Sequence, residues 1–421
     1  MEKQLMKKSF ICSAAALTAL GLSSMAHAAR GGTEQCAPQP PATCYPDDCK
    51  RCYCLGPENY GVNAPVCPKT CNGDLEITVA GFYWNAHQDG MEYAIRNNVS
   101  FPEPNASITP PAVDSDILAL NNLVDAEYQN PNFKWDFGFK VGLGYCTTCD
   151  GWDIGVEWTW YRGKASEHIE AESSDNQTLM PLWSAFAPVV GGPLFASDMQ
   201  ANWKLELNLI DIELGRNFWT SKYLAIRPFM GLRIAFIDQT FGIDTKGGSY
   251  SSPNQATTLT QASVNNNVSI SNDYQGVGIR GGLDSTWNLG CGWAIYGNMA
   301  GSIVYGKFKI DQDETNREAV SPHTKSKVAE IKDDFRASRA MLDLGLGLQW
   351  MGMFCECQYG MRVALGWEHH MFFDQNQMWR INRIGDGSAS ELPNNLGENV
   401  YQQRRGDLDT QGWTLTVDFS F

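Results

Sequence analysis

The last ten residues constrain this chain more than any other stretch. Trp413, Leu415, Val417, Phe419 and Phe421 alternate with Thr414, Thr416, Asp418 and Ser420 up to the carboxyl terminus. Strict period-two alternation places an apolar row and a polar row on opposite faces of one β-strand. Two folds accept such a strand. In a soluble sandwich the apolar row points into a protein core. In a membrane barrel it meets lipid, and the polar row lines a wet interior.

Sister segments favour the barrel. Phe133, Trp135, Phe137, Phe139, Val141, Leu143 and Tyr145 share one face, against Lys134, Asp136, Gly138, Lys140, Gly142 and Gly144. A short turn leads to Trp152, Ile154, Val156, Trp158 and Trp160, and only a large cover could bury both rows. Lipid is the simplest cover. Leu75, Ile77 and Val79 open a first strand running through Trp84, and Leu224 to Phe236 alternate in the same way. Hairpins follow at Tyr274–Trp287 with Trp293–Phe308, and at Arg339–Trp350 with Tyr359–Trp367. Between Trp203 and Leu214 the apolar phase moves by one residue, from Leu205, Leu207 and Leu209 to Ile210, Ile212 and Leu214. A β-bulge would produce that slip.

Short turns alternate with the long polar stretches Ala86–Asn132, Gly163–Asn202, Gly242–Asp273, Ile310–Asp334 and Asp374–Gln411. That asymmetry predicts an all-β fold, a transmembrane antiparallel β-barrel of about 10–12 strands with short turns in the periplasm and long loops outside. Weaker runs such as Met91–Ile95 could raise the count to twelve or more.

The amino terminus carries an export signal. Lys3, Lys7 and Lys8 precede an apolar run from Phe10 to Leu22, closed by Ala26-His27-Ala28. This predicts a signal peptide over residues 1–28, a cysteine- and proline-rich periplasmic segment over 29–72, and the barrel over 73–421. The net charge of −15 argues against nucleic acid as a partner.

Twelve cysteines follow the predicted cleavage site, and an exported chain so rich in cysteine is expected to form disulfides. Cys36, Cys44, Cys49, Cys52, Cys54, Cys67 and Cys71 crowd the amino-terminal segment. Cys146, Cys149, Cys291, Cys355 and Cys357 all fall at short turns of the predicted barrel. All twelve are therefore expected on the periplasmic side, able to link copies of the chain or join it to other cysteine-rich envelope proteins. The spacing of Cys49, Cys52 and Cys54 lacks the histidines or second regular pair of a zinc site, so no metal is expected.

The stretches Gly81–Ile95, Tyr223–Gln239 and Trp367–Gln377, with Tyr274–Phe308, resemble the major outer membrane protein family of Legionella and chlamydia-like bacteria. The resemblance implies an abundant, surface-exposed, disulfide cross-linked porin of the bacterial outer membrane. Outer-membrane lipid is expected as a partner from the alternating faces, and the barrel assembly machinery from the terminal row Trp413, Leu415, Val417, Phe419 and Phe421, since bacterial barrels commonly end in such a strand with a terminal Phe. A host-cell surface is a further partner for the long loops.

The polar faces carry the candidate pore lining: Arg227, Arg233, Arg280, Arg339 and Arg362 against Asp136, Glu157, Asp284, Asp343 and Glu368. Charges are tolerated in a wet lumen and costly against lipid. These residues could line a channel, or pair across a narrow barrel and plug it. Gly276-Val277-Gly278-Ile279-Arg280-Gly281 has dinucleotide-loop spacing, but alternation continues through it, so no cofactor is expected and the glycines should face the lumen. Glu368-His369-His370 invites a protease reading, but a polar rim position explains it at lower cost. The expected function is a non-enzymatic porin and cross-linked envelope protein. The alternatives are a non-conducting structural or adhesin barrel, and an outer-membrane protease.

Overall fold

The computed structural model describes residues 56, 63–66, 74–98, 125–147, 151–171, 177–185, 196–254, 258–318, 321–354, 358–384 and 398–421. The predicted signal peptide and most of the cysteine-rich segment lie outside these residues. Ten antiparallel strands close into a barrel. They are β1 (Asp74–Gln88), β2 (Trp135–Cys146), β3 (Trp152–Glu170), β4 (Asp198–Arg216), β5 (Leu224–Asn254), β6 (Thr258–Gly290), β7 (Trp293–Glu318), β8 (Lys325–Phe354), β9 (Tyr359–Phe372) and β10 (Leu408–Ser420). Each strand pairs with its neighbour in sequence, and β10 returns to β1 with Val417 opposite Val79. At that seam the backbone amide of Phe421 donates to Leu75 at 3.1 Å, and the amide of Leu75 donates back at 2.9 Å.

One end of the barrel has tight connections. Gly290, Cys291 and Gly292 turn between β6 and β7 with φ of 107°, 52° and 82°. Left-handed geometry at both central residues is that of a type I′ hairpin turn, which glycine adopts without strain. At the same end Ala64–Pro65 pairs with Phe218–Trp219, and the amide of Gly56 donates to the carbonyl of Lys222 at 3.0 Å. The described parts of the cysteine-rich segment are thus fastened to the β4–β5 turn.

The other end rises far above the tight turns, and it differs from the sequence reading in three ways. Gly242–Asp273 and Ile310–Asp334 are largely strand, because β5 runs to Asn254, β6 starts at Thr258, β7 runs to Glu318 and β8 starts at Lys325. The run at Met91–Ile95 adds no barrel strand. Ala94–Asn97 instead pairs with Glu127–Gln129 and Thr178–Pro181 in a separate small sheet. The phase slip in β4 is not a bulge either, since pairing to β3 and β5 runs unbroken through Leu209 and Ile210.

What changes in β4 is the environment of its two faces. Ile210, Ile212 and Leu214 point outward near the tight-turn end, while Asp211 and Glu213 point inward. Beyond Leu209 the roles exchange: Leu209, Leu207, Leu205 and Trp203 point inward and are buried, and Asn208, Glu206 and Lys204 point outward. β5 follows the same rule. Its outward row is Ile226, Pro228, Met230, Leu232, Ile234 and Phe236, then Asp238 and Thr240, while Arg227 and Arg233 give way inside to Ile237, Phe241 and Ile243. On β6 the outward row passes from Leu283, Ile279 and Val277 to Gln275 and Asp273. On β7 it passes from Ile303 and Tyr305 to Lys307 and Lys309.

Tyr83, Trp135, Trp160, Tyr305, Trp367 and Trp413 mark the change, and Trp152, Trp287, Trp293, Tyr359 and Phe421 lie near the tight-turn end. Aromatic girdles at two heights bound the lipid-facing band of a membrane barrel. On β10 the band runs from Trp413 to Phe421; nine residues at about 3.3 Å each, tilted, span roughly the ~25 Å that such a band needs. Below the upper girdle the barrel is built for lipid. Above it, the same wall is built like a water-soluble protein.

Candidate functional site: the charged lumen

Within the lipid-facing band the inward positions hold mostly small, polar and charged residues, with Phe229 and Tyr296 as aromatic exceptions, because charges would be costly on the outward face. Their arrangement is a continuous ion-pair network. Arg233 reaches Asp211 at 2.7 Å and Asp343 at 2.8 Å. Arg280 contacts Asp343 closely and Glu213 at 3.1 Å. Arg227 reaches Asp153 at 2.6 Å, Asp284 at 2.8 Å and Glu213 at 3.2 Å. Lys140 lies 2.9 Å from Glu368 and 3.8 Å from Glu157. His370 joins the two halves, with Nδ1 2.8 Å from Asp343 and Nε2 3.4 Å from Glu368.

Nearer the tight-turn end Arg362 donates to Asp418 at 2.7 Å and to Gln349 at 3.3 Å, and Thr78 donates to the other Asp418 oxygen at 2.5 Å. The network is well sheltered. Arg233 is 2 % exposed and Asp343 7 %.

Above this layer the lumen is apolar. Phe82, Trp84, Tyr161, Trp203, Phe241, Tyr274, Phe308 and Phe372 point inward, and Met91, Tyr93, Leu179, Trp183 and Met378 from the connecting segments pack among them. The indole of Trp183 donates to the carbonyl of Glu92 at 2.7 Å, and Arg380 donates to the carbonyl of Leu182 at 3.1 Å, so the insert is held by hydrogen bonds as well as by packing. Glycine makes room for an inward ring. A Cβ at Gly306 would lie 2.6 Å from the Tyr274 ring, whose hydroxyl donates to the carbonyl of Val304 at 2.8 Å.

Of the residues singled out in the sequence, Arg227, Arg233, Arg280, Arg362, Glu157, Asp284, Asp343 and Glu368 meet in the lumen. Arg339 also points inward but stands apart in the apolar half, over the Phe308 ring and 3.5 Å from Asp374. Asp136 lies at the upper edge, accepting the backbone amide of Lys164 at 2.9 Å. Of the three glycines at 276, 278 and 281, Gly276 and Gly278 face inward. Gly281 has the outward phase of Ile279 and Leu283, a correction to the expectation for all three.

His369 and His370 occupy opposite faces, as neighbours on a strand must. Only His369 sits at the outer rim; His370 belongs to the lumen network. His370, expected at the rim beside His369, thus joins the site, and Lys140, Asp153, Asp211, Glu213 and Asp418 complete it without having been singled out as pore lining. Each shows the polar phase of an alternating segment, which is the signal that could have found them.

The row Trp413, Leu415, Val417, Phe419 and Phe421 faces outward. Cys146 ends β2, and Cys291 is disulfide-bonded. Cys36, Cys44, Cys49, Cys52, Cys54, Cys67, Cys71, Cys149, Cys355 and Cys357 lie outside the described residues.

Comparison with known proteins bears on this arrangement. Residues 67–421 match the family model described as the Legionella pneumophila major outer membrane protein precursor. The chain belongs to that family. The match covers the whole barrel and places this major outer membrane protein family member in the bacterial outer membrane. Among curated proteins, none matches it in sequence.

Solved barrels show distant likeness. The outer membrane protease OmpT from Escherichia coli is 9 % identical with a TM-score of 0.23, over 84 % of this chain and 97 % of its own. Ail, the attachment invasion locus protein of Yersinia pestis, is 8 % identical at 0.21, over 83 % and 99 %. A Pseudomonas aeruginosa FadL homologue is 8 % identical at 0.22, over 83 % and 90 %. At these scores none of the three bears on function.

Proposed function

We propose that the protein is an outer-membrane porin that passes small hydrophilic solutes and ions along a narrow, charge-lined lumen. The observation that supports this reading is the inward row of the lipid-facing band, which carries Lys140, Arg227, Arg233, Arg280 and Arg362 against Asp153, Glu157, Asp211, Glu213, Asp284, Asp343, Glu368 and Asp418. Acids outnumber cations, so the wall favours cations over anions. A second reading, a closed structural barrel, is supported by the burial of Arg233 and by the apolar insert above it. A protease has less support. His369 and His370 face opposite sides of the wall and cannot act together, and the imidazole of His370 is taken up by Asp343 and Glu368.

Planar-bilayer recording separates the first two readings. The purified full chain should conduct with a preference for cations, and Arg227→Gln with Arg362→Gln should strengthen that preference. Folded protein that leaves the bilayer silent would establish the closed barrel instead.

A further inference from the structure

The outer wall just above the upper girdle holds a cation cluster that the porin reading does not use. Lys164 on β3 and Lys204 on β4 are directly opposite each other in register, and both are exposed. Like charges at opposed positions destabilise a strand pair. Lys134 joins them from the β2 side: its backbone amide donates to the carbonyl of Lys164 at 3.1 Å, and its ammonium donates to Ser166 at 3.1 Å. Below them Arg162 stacks 5.1 Å over the ring of Trp160 and donates to Glu206 at 3.0 Å.

The carboxylates facing the patch are already engaged or remote. Glu206 takes Arg162, Asp136 accepts the Lys164 amide, and Asp238 stands opposite Glu206 on β5. Among the described residues, no carboxylate lies within ion-pair distance of Lys164 or Lys204. The far side of the barrel shows what a self-sufficient arrangement looks like. There Lys307 lies opposite Arg336, and Asp334 takes Lys307 at 2.8 Å.

Height supplies the missing anion. Lys164 sits two outward positions beyond Trp160, roughly 13 Å along the strand at ~3.3 Å per residue, and less in height because the strand is tilted. A lysine stem lying along the wall brings its ammonium down to the headgroup layer. We propose that Lys164 and Lys204, flanked by Lys134 and Arg162, form a docking site for the phosphate of a phosphorylated lipid in the outer leaflet. The lipid's chains would lie against Trp160, Trp158 and Ile210, and its phosphate would bridge the two opposed ammonium groups. That relieves a repulsion the protein itself leaves standing, in a chain otherwise strongly acidic.

The test uses full-length protein folded in zwitterionic detergent, with phosphatidic acid as probe, diacylglycerol as the same lipid without its phosphate, and inorganic phosphate as the free anion. Native mass spectrometry should show phosphatidic acid retained at least about tenfold over diacylglycerol, since a charge-assisted contact of this kind is strong. Lys164→Ser with Lys204→Ser should abolish the preference, and Lys307→Ser should leave it intact. Lys204→Gln alone should lower it, and serves where the double variant gives no heat-modifiable folded band. Equal retention of both lipids, unchanged retention by Lys204→Gln, or displacement by inorganic phosphate at comparable concentration would each overturn the proposal.

Discussion

The two halves of the barrel wall use the same strands in opposite ways. Below Tyr83, Trp160 and Tyr305 the apolar residues face out and the charges face in. Above them the apolar residues face in and the charges face out. Neither β4 nor β5 changes register at the crossing. A strand keeps its side chains alternating whatever surrounds it, so the solvent on each side decides which row is apolar. The lower half is held by lipid outside and ion pairs inside; the upper half is held by a packed core.

The comparison breaks most visibly where the lower interior is disturbed. Arg233→Ala removes the cation between Asp211 and Asp343, leaving buried charge short of a partner. Loss of one member of a buried pair costs about 3–5 kcal/mol. Urea unfolding of the vesicle-inserted protein, followed by gel mobility, should show a loss of that order. A loss within ~0.5 kcal/mol, typical of a neutral surface change, would mean that the lumen layer is wet enough to screen its charges.

A far smaller effect is expected where β8 stands in solvent. Lys327 and Lys332 hold the Glu330 carboxyl down at about 2. Because the folded-state value is lowered, any stabilisation is complete above the ordinary value near 4.5 and is lost as pH falls towards 2. The groups are fully exposed, so screening keeps the energy slight. Carboxyl-selective NMR should place the Glu330 midpoint well below 4.5 and move it upward in Lys327→Ser with Lys332→Ser. An unmoved midpoint would remove the contacts from the account.

The lower half was legible in the sequence because lipid demands an almost unbroken outward row. Phe137, Phe139, Val141 and Leu143 announce a strand without further context. The upper half was not, because its apolar row is mixed with residues that fit a crowded interior. Val268, Ile270 and Tyr274 are separated by Asn272, and the outward Ser269, Ser271 and Asp273 read as loop. In β4 both patterns were visible, but the change of solvent was taken for a change of register. The charges of the lumen were legible one by one. Their pairing was not, because Arg227 meets Asp153 from 74 residues away and Arg280 meets Asp343 from 63.

The exchange of faces at the upper girdle is tested most directly by placing arginine at successive outward positions of β6: Ser271, Gln275, Ile279 and Leu283. Folding free energies in vesicles should stay within ~0.5 kcal/mol of wild type at Ser271 and Gln275. They should fall by about 2–4 kcal/mol at the position nearest mid-bilayer, Ile279 or Leu283. A penalty already present at Ser271, or none at either Ile279 or Leu283, would contradict the boundary drawn here.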